Sequence, residues 1–263
     1  MDMYTREAQL AAFSKLLDVM DELREKCPWD RKQTMESLRP LTIEECYELT
    51  DAILGGKPHD IRNELGDVLL HIVFYAKIGS ELGVFDMASV CTALVEKLVH
   101  RHPHIYGDVQ VDNEEQVKAN WEKIKLKEGK KSVFEGVPKG LPSMVKAIRL
   151  QEKAKGVGFE WPDHQGAWDK VEEELAELRE ATSSRALSSD DVEKEFGDLI
   201  FSLINVSRYL GINADNALDR TNVKFKARFE HIESAAMAMG KNLKDMDLNE
   251  MDTYWDQAKT LHP

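Results

Sequence analysis

Two stretches place acids three residues apart: Glu45 and Glu48 in LTIEECYEL, then Glu64 and Asp67 in NELGDVLLHIVFYA. On a helix, positions i and i+3 share a face, so two antiparallel helices would turn four carboxylates toward one another. Such a cluster repels itself unless solvent or a divalent cation screens it. The arrangement returns as Glu174 and Glu177 in VEEELAEL, followed by Glu195 and Asp198 in EFGDLIFSLIN. An isolated acid pair is most simply a solvated helix face. A duplicated set, with its second pair opening an apolar run (Leu199, Ile200, Phe201, Leu203, Ile204), asks for another reason.

Oxygen ligands of this kind suit Mg²⁺, with Mn²⁺ as a substitute, because substrate phosphates can complete the coordination. No Cys or His cluster is spaced for zinc. A di-iron bundle would show Glu-x-x-His, whereas Asp67 and Asp198 occupy that position here. Basic and aromatic residues also recur: Lys97 and Arg101 match Lys224 and Arg228, and Trp121 and Lys125 match Trp255 and Lys259. Acids with metal beside Lys and Arg are what polyphosphate chemistry requires. Trp255 can stack on a base or ribose, or anchor one helix to another. Lys224 and Arg228 are phosphate ligands or ordinary surface charges. Glu44 and Glu173, the first acids of each pair, fit a solvated role, a general base, or support of a metal-held water, which is favoured. Glu172 and Glu180 read as surface acids. His71, one turn after Asp67, is a candidate donor to the cluster, but its counterpart is Ser202.

Helices must position these groups. Apolar periodicity predicts helices over 7–25 (Leu10, Phe13, Leu16, Leu17 and Met20 on one side), 60–82, 86–101, 114–128, 143–155, 166–181, 191–210, 213–239 and 249–261. Another is expected from Thr42 to the Gly55-Gly56 stop, with Thr42 and Glu45 spaced as a capping box. In 60–82 the core positions are expected at Leu65, Val68, Leu69, Ile72, Val73 and Ala76. In 86–101 they are Val90, Ala93, Leu94 and Leu98. The segment HPHIYGDVQVDN reads as a loop, and nothing persuasively alternates with period two. The expected fold is all-α, a tandem repeat of helical-bundle domains: 1–132, a partly packed linker 133–142, and 143–263.

Composition sets outer limits. A chain of 263 residues with 42% hydrophobic and 32% charged residues has the balance of a globular protein. No apolar run of about 18 residues exists to span a membrane, and the N-terminus lacks the pattern of a signal peptide. Cys27, Cys46 and Cys91 form no close pair, which suits reduced thiols and a cytoplasmic location. The net charge of −13 disfavours nucleic-acid polymers and acidic membranes but not a small phosphorylated ligand held through metal. No phosphate-binding Gly-rich G-x-x-x-x-G-K-[ST] loop is present.

EExxE followed by ExxD at the head of an apolar helix resembles the all-alpha nucleoside triphosphate pyrophosphohydrolases. Over almost the whole chain the resemblance is to the bacterial MazG family. CPWDRKQT, IEECYELTDAI, ELGDVLLHIVFYA, RHPHIYG, NWEKIK, VGFEW, EEELAEL, EFGDLIF and KFKARF carry it. The resemblance implies Mg²⁺-dependent hydrolysis of ribo- and deoxynucleoside triphosphates between the α and β phosphorus atoms. It implies a homodimer and a catalytic C-terminal domain. Glu174, Glu177, Glu195 and Asp198 would then hold metal, while Lys224, Arg228, Trp255 and Lys259 would hold nucleotide. The N-terminal repeat keeps Glu45, Glu48, Glu64 and Asp67 as a second metal set, so motif retention alone does not silence it. A narrow dUTP or dCTP pyrophosphatase would share these acids, and a helical scaffold would use them only as surface.

Overall fold

The computed structural model describes residues 5–113, 116–117, 120–121, 124, 132–183 and 188–262. Among these, all regular structure is helical. Cα proximity divides the chain into two compact units, Met1–Gln110 and Val111–Pro263. The segment 133–142, expected as a connection, falls within the second.

The N-terminal unit contains α1 (Arg6–Lys26), α2 (Met35–Gly55), α3 (Pro58–Glu81), α4 (Met87–Arg101) and the short α5 (Pro103–Tyr106). Helices α2 and α3 pair antiparallel, since Thr42 meets His71 and Tyr75 while Glu48 acts on Glu64. Helix α1 lies against α3. Its Arg24 reaches Glu81 and the backbone oxygens of Asp30 and Gln33, which fixes the turn after Cys27-Pro28. The core is Met20, Leu38, Val73, Phe74 and Ile78, with Phe13, Leu16 and Leu17 packed against it.

Several sequence expectations change here. Helix α2 begins about two turns before Thr42, capped by Thr34, whose side chain accepts from the Ser37 amide while Ser37 returns the bond. Pro40 sits inside the helix yet forfeits only one early backbone bond, and its fixed φ is helical. Leu38, 1% exposed, holds this extra segment against the core. Thr42 is therefore interior, and its hydroxyl donates to the Leu38 carbonyl. Glu45 is released from a capping role. Gly56 ends the helix at φ 68, where glycine has no Cβ to strain.

On α3 the buried face is His71, Val73, Phe74, Ala76, Ile78 and Gly79: Val73 and Ala76 are buried as expected, while Leu65 and Ile72 are exposed. Helix α4 buries none of its residues: Val90, Leu94 and Leu98, expected inward, are exposed. Periodicity shows that a helix has an apolar face but not that the same chain covers it. The loop HPHIYG contains α5. Most of the expected 114–128 helix, Lys125 included, lies outside the described residues.

The C-terminal unit contains α6 (Ser143–Lys155), α7 (Gln165–Ser183), α8 (Ser189–Tyr209), α9 (Ala214–Ala238) and α10 (Leu248–Leu261). These match the expected helices to within a residue or two. Helices α7 and α8 pair antiparallel, with Ala167 and Val171 packed on Val206. Helix α6 packs on α8, and α9 pairs with α10 through Ile232 and Ala236 against Met251, Tyr254 and Trp255, with Met246 of the connection buried beside them. In the apolar run after Asp198 only Ile204 is a core residue. Ile200, Phe201 and Leu203 keep more than a third of their surface exposed. Among the described residues no helix is long and apolar enough to cross a membrane.

Candidate active site

Ser188 caps α8 and exchanges bonds with Asp191, so Glu195 and Asp198 sit about two and two and a half turns into the helix on the side facing α7. From α7, Glu174 meets them. One carboxylate oxygen each from Glu174, Glu195 and Asp198 lies within 4.8 Å of the others. Glu174 is 5% exposed, Glu195 half-buried and Asp198 exposed, so the cluster has a dry wall and an open mouth. Glu177, one turn further along α7, is exposed. Desolvation first, then Glu174 and Glu195, push its carboxyl above the ordinary range. The four acids expected to converge therefore do so as a tight triad with a fourth acid in electrostatic reach.

Lys170, one turn before Glu174, was not anticipated. Its ammonium stands 2.5 Å from Glu174 and 3.0 Å from Glu173. Those two bonds hold the lysine charged well above its ordinary pKa. The signal was present in the sequence as an i,i+4 Lys–Glu pair, but such pairs are common on solvated helices. Glu173, a candidate support or base, is exposed and engaged by this lysine.

In the N-terminal unit Glu45, Glu48 and Glu64 bring oxygens within 4.8 Å of one another. Desolvation, Asp67, Glu48, Glu64 and Glu44 together raise the Glu45 carboxyl. Desolvation, Glu48 and Asp67 raise that of Glu64. Where α7 carries Lys170, α2 carries Leu41, which packs against the core. His71 is buried, and its Nδ1 contacts the Thr42 hydroxyl at 2.9 Å, not a cluster acid. Burial lowers its pKa, and Asp67 opposes the shift only through space.

Behind the C-terminal triad lies a cavity of about 800 Å³. Lys170, Glu174 and Asp198 are among its lining residues. Aromatic residues Phe134, Phe159, Trp161 and Phe201 and the polar residues Gln151, Asn205 and Arg208 also line it. Arg208 donates to Glu160 at 2.6 Å and to the Asn205 Oδ1 at 2.9 and 3.2 Å. Burial raises the Glu160 carboxyl, but Arg208 and Lys155 outweigh it and hold the group below its ordinary value. The Tyr209 hydroxyl donates to the Trp161 carbonyl at 2.9 Å and ties down the VGFEW turn. These partners lie about fifty positions apart in the chain, too far for spacing to reveal them.

Lys224, Arg228, Trp255 and Lys259 gather on the α9–α10 pair and do not line the cavity. Arg228 donates to the His262 carbonyl at 2.9 and 2.8 Å and stands 5.7 Å from the Trp255 ring centre. Trp255 tilts against Phe225 at 5.3 Å and packs on the Ile232, Ala236 and Met246 core. Lys259 pairs with Asp256, and Lys224 is half-buried. Of their N-terminal counterparts, Lys97 is exposed and Arg101 half-buried.

Residues 33–106 match the MazG nucleotide pyrophosphohydrolase domain. The chain is 44% identical over 252 residues to nucleoside triphosphate pyrophosphohydrolase/pyrophosphatase MazG of Thermotoga maritima, covering 94% of this chain and 95% of that protein. It is 38% identical over 252 residues to the nucleoside triphosphate pyrophosphohydrolase of Escherichia coli K12, covering 93% and 96%. With those alignments spanning almost the whole chain, it belongs to the MazG family of nucleoside triphosphate pyrophosphohydrolases.

Proposed function

We propose that the protein hydrolyses ribo- and deoxynucleoside triphosphates at the α–β phosphoanhydride bond, giving a nucleoside monophosphate and pyrophosphate, with Mg²⁺ bound at the C-terminal acids. The observation that carries this reading is the convergence of Glu174, Glu195 and Asp198 within 4.8 Å at the edge of a cavity large enough for a nucleotide. An all-oxygen donor set that repels itself fits a hard divalent cation, with Glu177 as the fourth acid. Bound there, Mg²⁺ would neutralise phosphate charge and acidify a coordinated water.

The chain's own groups do the rest. Glu174, Glu177, Glu195 and Asp198 orient the reacting end. Lys170, already charged and pointing at the triad, meets the negative charge that builds on the phosphates. Glu173, paired with that lysine at 3.0 Å, is assigned the support of the attacking water. Water adds to the α-phosphorus as the bond to the β-phosphate oxygen breaks, and pyrophosphate departs with the bonding pair. Lys224, Arg228, Trp255 and Lys259 are proposed to contact the nucleotide from the α9–α10 side. Activity is assigned to the domain 143–263 of a homodimer. The exposed apolar residues of α4 and α8 support such an assembly.

Product analysis tests the reading. Incubation with several NTPs and dNTPs and Mg²⁺ should release monophosphate and pyrophosphate from purine and pyrimidine substrates alike. Orthophosphate release would move the cut to the β–γ bond, and turnover of one pyrimidine substrate alone would replace the broad specificity.

A further inference from the structure

Resting on the reading above, we propose that the cavity behind the triad is the nucleobase subsite, with Gln151 as its hydrogen-bond acceptor and Asn205 as its donor. Gln151 is 7% exposed, and its side-chain amide donates to the Phe201 carbonyl at 2.8 Å. That bond fixes the orientation of the amide and turns Oε1 into an obligate acceptor. Oε1 is buried and has no partner among the described residues. A buried carbonyl without a donor is costly, so the site is built for a ligand that brings an N–H. Asn205 is constrained in the opposite sense: Arg208 occupies its Oδ1 with two bonds, leaving the amide nitrogen to donate. Arg208 is itself held by Glu160.

An acceptor and a donor between aromatic walls describe a base edge presenting an N–H beside a ring nitrogen or carbonyl. Every common nucleobase offers that pair, so this cavity sorts bases weakly. The fold does not require the polarity. In the N-terminal unit the position matching Asn205 is Phe74, 2% exposed and part of the core. Glu174 and Asp198 also line this cavity, so a triphosphate held at the acids would carry its base into it.

The test uses the full-length protein with Mg²⁺ and two variants that leave the acids and Lys170 intact. Gln151→Leu removes the acceptor, and Ala154→Phe fills the cavity from its α6 wall. Pyrophosphate release should show KM for ATP and CTP raised about tenfold in Gln151→Leu, the factor one ordinary hydrogen bond is worth, with kcat within about twofold. Inhibition by inorganic tripolyphosphate, which has no base, should be unchanged in both variants. KM values unmoved in both variants would overturn the proposal, as would a parallel loss of tripolyphosphate inhibition. Should the wild type turn over no nucleotide, the hydrolase reading falls, and nucleoside binding decides this one. Quenching of tryptophan fluorescence by adenosine and cytidine, lost in Gln151→Leu and in Trp161→Phe, would sustain the subsite. Absence of quenching would remove it.

Discussion

Asp67 and Asp198 occupy matched positions well inside α3 and α8, and two turns further along stand Phe74 in one unit and Asn205 in the other. Phe74 closes a packed core with Met20 and Leu38. Asn205 lines a cavity of about 800 Å³. The helix preceding the acids tells the same story: Leu38 and Leu41 in α2 correspond to Ala167 and Lys170 in α7. Smaller or polar side chains in the second unit leave space and a cation where the first unit has apolar bulk. Both units keep acids that converge within 4.8 Å, so the carboxylates alone do not distinguish them. The difference lies in what stands behind the acids. A retained acidic motif is thus compatible with one unit working on nucleotides and the other serving as a packed platform.

The strongest way to break that comparison is to remove acids from each side. Glu195→Ala or Asp198→Ala should cut pyrophosphate release by roughly a thousandfold with helicity retained, because charge stabilisation at the phosphates is lost. Glu48→Ala and Glu64→Ala should leave most turnover intact. Equal losses on both sides would make the units functionally alike.

Next in size is the core itself. Phe74→Ala should cost about 3–5 kcal/mol of stability through the cavity it opens, measured by urea unfolding. Asn205→Leu should be far milder, since its position already borders empty space.

The pH dependence sharpens the electrostatic half. Glu45, Glu64 and Glu177 have carboxyls raised above their ordinary values in the folded state. Their protonated forms suit the fold best, so that stability is fully present at low pH and is lost as pH rises through the raised values. Addition of Mg²⁺ should therefore raise Tm more at neutral pH than at acid pH. Glu64→Gln should shrink the metal-free loss on raising the pH. A metal effect independent of pH would contradict the like-charge picture.

The smallest effect expected is on stability in Lys170→Leu, which copies Leu41. Its pair with Glu174 is partly exposed, so thermal unfolding should shift by less than about 1 kcal/mol. Turnover should fall much more than stability, because the cation beside the triad is gone.

Much of this is legible in the sequence. The i,i+3 acids in duplicate, the apolar periods and the Gly55-Gly56 stop specified helix pairs that bring carboxylates together, and they do. The spacing of Thr42 and Glu45 imitates a capping box, but the helix starts at Met35 behind the true cap, Thr34. A proline in the first turns costs one backbone bond, and burial of Leu38 outweighs it. The stripe on α4 was identified as apolar, but its exposure was not, since periodicity carries no information about which chain provides the cover.

What the sequence determined by itself was local: helical period, charge spacing and the repeat, all properties of neighbours along the chain. What only the tertiary structure decided was the space between helices. The cavity, the unpaired Gln151 oxygen and the Glu160–Arg208–Asn205 chain depend on side-chain volumes and angles summed over three helices and a turn. Packing is a cooperative, long-range quantity, and no window along one strand of sequence contains it.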